Sequence, residues 1–387
     1  WDGTVDDFTD AAGSYNFGQR PFEGTVTTGY KALNTYNLSN PTIADPSEHF
    51  GNTLWSAGTA PVTVDGLNFK PDLAWIKNRT GGTHTHVLTD SVRGVDKQLY
   101  SNLTDIEGSQ SDQVTAFTDD GYTLGANASG TGSVNISGCT YVGWNWLAAS
   151  ADVNSTGVGS IDSTYRANTD AGFSIVTWTG TTSNETVAHG LNAKPDFMIC
   201  KKRSTGGNSW IVWHKDIGDT KYLILNGAAD PDTDATLFNS HTNDSSTVFS
   251  LGTNNSISDT DDTAIAYLWS EVEGYSKIGS YTGNGVDGNG PFVWCGFRPA
   301  WILIKRTEAY TQNWIIYDTK TGPYNEISNT LSPNQTVGET WTTDDEIDVV
   351  SNGFKLRSNS GFNNGSTSAI YIFAAFAETP FKYANAR

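Results

Sequence analysis

GLNFKPDLAWIKNR, residues Gly66–Arg79, decides how the chain is read, because the phrase comes back twice. GLNAKPDFMICKKR fills Gly190–Arg203, and CGFRPAWILIKR fills Cys295–Arg306. Each copy gives a turn, a proline, a strongly apolar strand and a basic stop. Pro71, Pro195 and Pro299 are expected at strand starts, where a missing N–H is tolerated. Working outward, the aromatic residues Trp55, Trp178 and Tyr281 precede the prolines by 16, 17 and 18 positions. Trp146, Trp269 and Phe376 follow them by 75, 74 and 77 positions and end aromatic strands. Between these lie DGYTLG (Asp120–Gly125), TVFSLG (Thr247–Gly252) and NGFKLR (Asn352–Arg357). Four marks in one order, three times, define an internal repeat of roughly 100 residues.

Within the first repeat, strand-like runs fall near 52–56, 62–64, 72–78, 85–89, 97–101, 114–118, 122–125 and 139–147. That rhythm suits an antiparallel sandwich. The expected fold is all-β: three tandem antiparallel β-sandwich, jelly-roll-like modules with an N-terminal extension. The expected boundaries are 1–49 for the extension, 50–148 for module one, 149–170 for a polar linker, 171–274 for module two and 275–387 for module three. Ala300–Ile304 is apolar on both faces and reads as a central strand covered on both sides. Trp75, Ile199, Trp301, Trp146, Trp269 and Phe376 sit in the most apolar strands and are expected in the core. Residues 1–45 are too short for a core of their own and should pack on module one or along another subunit.

Composition narrows the function. The chain has 387 residues, 40 glycines and one methionine, with 12% aromatic residues and a net charge of −19. So acidic a chain is a poor partner for nucleic acid, which needs clustered Lys and Arg. Nothing approaches 18 consecutive apolar residues, so no membrane insertion is expected. Cys139, Cys200 and Cys295 are too few and too far apart for a disulfide framework and read as small buried hydrophobes.

Several residues are candidates for chemistry. His84 and His86, two apart, would share a strand face and could grip a metal ion. Asp230, Asp232 and Asp234 open like a calcium loop, but the Gly and Glu that complete one are missing, which favours a solvated loop tip. Glu271 and Glu273 would share a strand face as an acid pair of the kind that hydrolyses glycosides. Lys77 with Arg79, Lys201 with Lys202 and Arg203, and Lys305 with Arg306 close equivalent strands. They read as charge that ends a sticky strand, or as a row of cations facing an anionic glycan. No P-loop, G-x-S-x-G or H-E-x-x-H is present, and no enzyme is expected.

The phrases also resemble a family. PDLAWIKNR (Pro71–Arg79), HVLTDSVRG (His86–Gly94), LYSNLT (Leu99–Thr104), TYVGWNW (Thr140–Trp146) and the ending AFAETPFKYANAR (Ala375–Arg387) are similar to a repeat family of phage and prophage virion proteins common in marine viral sequences. Modules two and three depart from it. They carry Trp210–His214 and Trp314–Tyr317 where module one has His86-Val-Leu-Thr, and both lack Ser-Val-Arg-Gly. Relatives often carry an N-terminal SPRY-like (concanavalin-like) sandwich whose last strand reads like YNFGQRPF (Tyr15–Phe22), which makes residues 1–22 the tail of such a domain. The resemblance implies a virion component of tail-fibre or spike type with no defined catalysis. Its expected partners are other virion proteins, a host-surface glycan and further copies of itself in a trimer or filament. The apolar strand Ala369–Phe376 suggests such assembly, with another module of the same chain as the rival cover. A bacterial surface adhesin or filament subunit and a glycan depolymerase are the competing readings.

Overall fold

The computed structural model describes residues 38–387 apart from 81, 127–132, 309–310, 342–343 and 385–387. The stretch read as a SPRY-like remnant, residues 1–22, lies outside the described residues. The fold is all-β, and every strand pairing within its sheets is antiparallel.

Module one contributes β1 (Phe50–Ser56), β2 (Val62–Val64), β3 (Leu73–Asn78), β4 (His86–Asp90), β5 (Gly94–Tyr100), β6 (Gly108–Ser109), β7 (Val114–Thr118), β8 (Gly121–Leu124) and β9 (Thr140–Trp146). Its large sheet runs β1-β9-β3-β4-β5-β6, and its small sheet runs β2-β8-β7. Module two has β10 (Val153–Ser155), β11 (Ser163–Asn168), β12 (Phe173–Thr179), β13 (Glu185–Ala188), β14 (Phe197–Lys202), β15 (Ile211–His214), β16 (Lys221–Ile224), β17 (Asp232–Thr233), β18 (Val248–Leu251) and β19 (Thr263–Trp269). Its large sheet is β10-β11-β12-β19-β14-β15-β16-β17, over the pair β13-β18. Module three has β20 (Ser276–Thr282), β21 (Phe292–Trp294), β22 (Phe297–Arg306), β23 (Ile315–Asp318), β24 (Asn329–Leu331), β25 (Thr340–Trp341), β26 (Ile347–Val350), β27 (Gly353–Leu356) and β28 (Ile370–Pro380). Its sheets, β20-β28-β22-β23-β24-β25 and β21-β27-β26, reproduce the strand order of module one. Among the described residues no helix is long and apolar enough to cross a membrane.

The repeated prolines precede or enter topologically equivalent strands, β3, β14 and β22. Pro71 and Pro195 stand just before theirs. Pro299 is a correction: β22 starts two residues earlier, and the proline sits at a register shift, where a bulge accommodates the missing donor. Residues 149–170 are a second correction. They hold β10 and β11, which extend the sheet of module two beyond β12. A polar edge strand and a loop share the same Asn, Ser and Thr composition, so the sequence gives no contrast there.

Strand alternation sends side chains to two different cores. Ala74 and Ile76 of β3 face the small sheet of module one, with Trp55, Val64, Tyr122 and Tyr141. Leu73 and Trp75 face the other way, into a cluster shared by all three modules. In β22, Ile302 and Ile304 face the small sheet while Trp301 and Leu303 join the shared cluster. The strand apolar on both faces is thus covered on both faces. All six residues expected in the core are buried, none more than 2% exposed. Burying one large aromatic side chain stabilises by about 2–3 kcal/mol.

The three strands that end each repeat meet at an approximate threefold axis. Ring centroids of Trp146 and Trp269 are 5.9 Å apart, those of Trp146 and Phe376 5.5 Å, and those of Trp269 and Phe376 6.3 Å. Three residues picked out by spacing alone therefore touch one another. Apart from Ile370, which is exposed, the apolar strand Ala369–Phe376 is buried within its own chain. Of the N-terminal extension, residues 38–48 lie along the seam between modules three and one. Ile43 is buried in the shared core, and Lys382 Nζ donates to the Leu38 carbonyl over 2.9 Å.

Candidate functional site

The modules meet at three seams, each built from the same positions. Lys201 of module two donates to the Thr104 carbonyl of module one, Lys305 of module three to Ala228 of module two, and Lys77 of module one to Thr336 of module three, over 3.3, 3.0 and 2.9 Å. Each lysine also donates to a carbonyl seven residues on in its own module: His84, Asn208 and Gln312. One step along, Trp210 Nε1 donates to Tyr100 O at 2.8 Å and Trp314 Nε1 to Ile224 O at 2.9 Å. His86 Nε2 meets Ser332 O at 3.0 Å. The accepting residues all follow Leu99, Leu223 and Leu331 by one position, and the lysine acceptors follow the same leucines by five. Module two thus docks on one, three on two and one on three, so the head-to-tail contact closes into a ring.

The charges at the strand ends therefore differ from both readings given above. Lys77, Lys201 and Lys305 neither guard a strand end nor face solvent. Their aliphatic stems carry the amines to carbonyls across a seam. Burial pulls the Lys77 amine down to about 7 and those of Lys201 and Lys305 down to about 8. Two residues beyond, Arg79 pairs with Glu339 and Arg203 with Glu107, each at 2.8 Å across its seam. The seam between modules three and two has Thr307 and Pro231 at these positions and no such pair.

The seams also decide the histidine question. His86 Nδ1 accepts from Trp75 Nε1 at 3.1 Å, which leaves Nε2 to donate to Ser332. Both nitrogens are committed, and burial holds the ring far below its ordinary pKa. The histidine takes the structural position that tryptophan holds in the other two modules. His84 precedes β4 and lies outside the strand, so the expected shared strand face does not form. Asp234 accepts from the Thr236 amide, the Thr236 hydroxyl and Asn254, while Asp232 accepts from the Thr233 amide and the Tyr222 hydroxyl. Asp230 lies near Lys305 at the seam between modules three and two and partly opposes the lowering of that amine by burial. Among the described residues no three His, Cys, Asp or Glu side chains are grouped to hold a metal ion. Glu271 and Glu273 lie beyond the end of β19, in the turn to module three, and share no strand face. Glu271 accepts from Lys215 at 3.0 Å and Lys277 at 2.6 Å, and these hydrogen bonds draw its carboxyl below the usual range against the opposing effect of burial. Cys200 and Cys295 are buried thiols and Cys139 is half-buried, and all three are free.

A cleft of about 380 Å³ opens where modules three and one meet, lined by Gly51, Asn52, Leu67, Ala300, Lys320 and Glu378 among others. Beneath it, Asp318 accepts from Trp144 Nε1 at 2.8 Å, Asn52 Nδ2 at 2.7 Å and the Lys320 amide at 2.7 Å. Burial pushes this carboxyl up to about 6. Glu378 is the carboxylate on the cleft wall, and Arg298 Nε holds it at 2.8 Å. Among the described residues, large exposed rings concentrate in module three: Phe292, Trp294, Tyr324, Trp341 and Tyr383.

A family model described as a domain of unknown function (DUF7483) matches residues 45–380. The matched span starts at Asp45, which caps the short turn before β1, and stops at Pro380, the last residue of β28. The family unit is therefore the whole ring, not one module. No curated protein matches the chain.

Proposed function

The chain belongs to the DUF7483 family, and we propose that it is a structural component of a virus surface, of tail-fibre or spike type. It acts in assembly and in attachment to host-surface glycans, outside the cell. The observation that carries this reading is the closed three-module ring. Its interior polar groups, His86, the three seam lysines and Asp318, are each tied into bonds that hold modules together. Its cleft wall carries a carboxylate already paired with arginine, whereas glycoside hydrolysis requires two acids acting across a bond. Such a molecule is a rigid display unit. Since its apolar last strand is used inside the chain, any homo-oligomer, trimer or filament, forms through the outer faces of the ring.

Antibody labelling of purified particles, with parallel assay of the protein for reducing ends released from surface polysaccharide, tests the reading. Label on the particle surface and no release is the expected result. Protein confined to the soluble lysate would sink the virion assignment, and released reducing ends would favour the depolymerase.

A further inference from the structure

The three modules share one scaffold, so a feature present in only one of them is informative. In the small sheets, Val64, Val187 and Val293 occupy equivalent buried positions opposite Tyr122, Phe249 and Phe354. The residues on either side lie on the opposite face of the strand. They are Thr63 and Asp65, both exposed, in module one and half-buried Thr186 and buried Ala188 in module two, but exposed Phe292 and Trp294 in module three. These two rings are 47% and 54% exposed, on one face of the edge strand β21 and two residues apart, which spaces them about 7 Å along the strand. Folding gains little from leaving two large rings in water.

The Trp294 ring is held in place. Gly296 packs against it so closely that a Cβ there would stand 3.0 Å from the ring. Lys277 Nζ lies 5.8 Å from the ring centroid. The surrounding charges are already matched. Lys277 is paired with Glu271, Arg357 lies against both Glu326 and Asp348, and Lys355, whose Nζ donates to the neutral Gly290 carbonyl, is near enough to Asp348 to favour its ionised form. Asp287 and Asn289, exposed in the loop that enters β21, offer hydrogen-bonding groups at the Phe292 end.

We propose that Phe292 and Trp294 form a platform for a neutral glycan whose pyranose rings are joined through equatorial bonds. Such rings present flat faces of axial C–H groups, which pack on aromatic faces while their hydroxyls reach polar groups at the rim. Neutrality follows from the paired cations and from the chain's net charge of −19, which repels anionic polymers. A second protein chain fits poorly. Two half-exposed rings offer roughly 200 Å², against the ~800 Å² per partner of a stable interface.

This inference deepens the attachment reading and rests on it. Isothermal titration of the full chain with cellohexaose and laminarihexaose tests it, with α-linked maltohexaose and an anionic alginate oligomer as comparisons. Binding of an equatorially linked hexasaccharide is expected. It should weaken about tenfold or more in Phe292→Ala/Trp294→Ala and stay unchanged in Trp341→Ala, with melting temperatures preserved in both variants. Failure to bind either hexasaccharide, binding that survives the double substitution, or preference for maltohexaose or alginate overturns it. So does sedimentation showing a dimer that the double substitution abolishes. A chain found on particles that fails this test loses the platform and keeps the virion assignment.

Discussion

Lys77, Lys201 and Lys305 show how far a residue's setting can differ from its type. An ammonium group is costly to bury, and burial lowers the pKa until the neutral amine competes. A neutral amine still has two N–H bonds, enough for its two carbonyls. The sign of the pH effect follows. Between the folded pKa, about 7 for Lys77, and the unfolded value of 10.5, the unfolded chain binds more protons, so stability rises with pH across that window. Lys201 and Lys305 act in the same direction from about 8 upward. His189 and His214, lowered to about 4 by burial, extend the acid-side loss, because the unfolded chain takes up protons below 6.5 while the folded rings stay neutral. Buried Tyr122, Tyr267 and Tyr317 set the upper limit. Burial raises their pKa values, so above about pH 10 the unfolded chain loses those protons first and stability falls. Denaturant melts across the range should show stability climbing from neutral pH toward about 10. Lys77→Met should flatten that rise by up to one lysine's share, a few kcal/mol at roughly 1.4 kcal/mol per pKa unit. A pH-independent stability in the wild type would refute the account.

At the scale of elements, β9 is the clearest case of a strand built for two layers. Trp144 and Trp146 enter the shared core, while Tyr141 faces the small sheet. Gly143 also faces that sheet, and its missing side chain makes room for others. A Cβ there would stand 2.2 Å from Tyr122 Oη and 2.8 Å from Thr53 Oγ1. These two hydroxyls bond each other at 2.9 Å in the buried interior. Gly143→Ala is therefore expected to destabilise by about 1–3 kcal/mol through overpacking, read as a lowered melting temperature, and Tyr122→Phe should recover part of the loss. The strands themselves were legible because residue types alternate with the period of a strand and because the marks recur at constant spacing. Eight runs anticipated in module one fall on eight of its nine strands; the two-residue β6 is too short to leave a pattern. What covers each face was not legible. Trp75 and Ile76 are equally apolar, yet one faces another module and the other faces its own small sheet. The seam lysines were misread for a related reason: a lysine that stops a strand and a lysine that crosses a seam occupy the same place in the sequence. The exposed pair Phe292 and Trp294 left a signal, two rings flanking a valine in one repeat out of three. It becomes visible only once the small sheets are aligned.

For the whole molecule, a ring of three equivalent seams makes a specific demand on the order of the chain. Two seams are bridged by covalent connections, residues 147–152 and 270–275, while the third, between modules three and one, closes without one. That seam uses the same lysine-to-carbonyl and ring-to-carbonyl bonds as the others, so it does not depend on a linker. The shared core adds residues from all three modules to one continuous cluster, which should unfold in a single transition, unlike three independent domains on a string. The two ends of residues 38–384 lie side by side, since Lys382 Nζ bonds both the Leu38 carbonyl at 2.9 Å and Asn40 Oδ1 at 2.6 Å. A circular permutant is therefore expected to fold. It would join residue 384 to residue 38 through a short Gly/Ser linker and open between the exposed Ser150 and Ala151. The opening leaves β9 and β10 whole, and the new linker lies over a seam already formed. Loop-closure entropy changes slowly with loop length, at about 0.6 kcal/mol per doubling. The permutant should thus melt in one transition within a few degrees of the same residues in their natural order, and sediment as the same species. Two separated transitions, or a permutant that populates open chains joined end to end, would show that chain order holds the ring shut and the third seam does not.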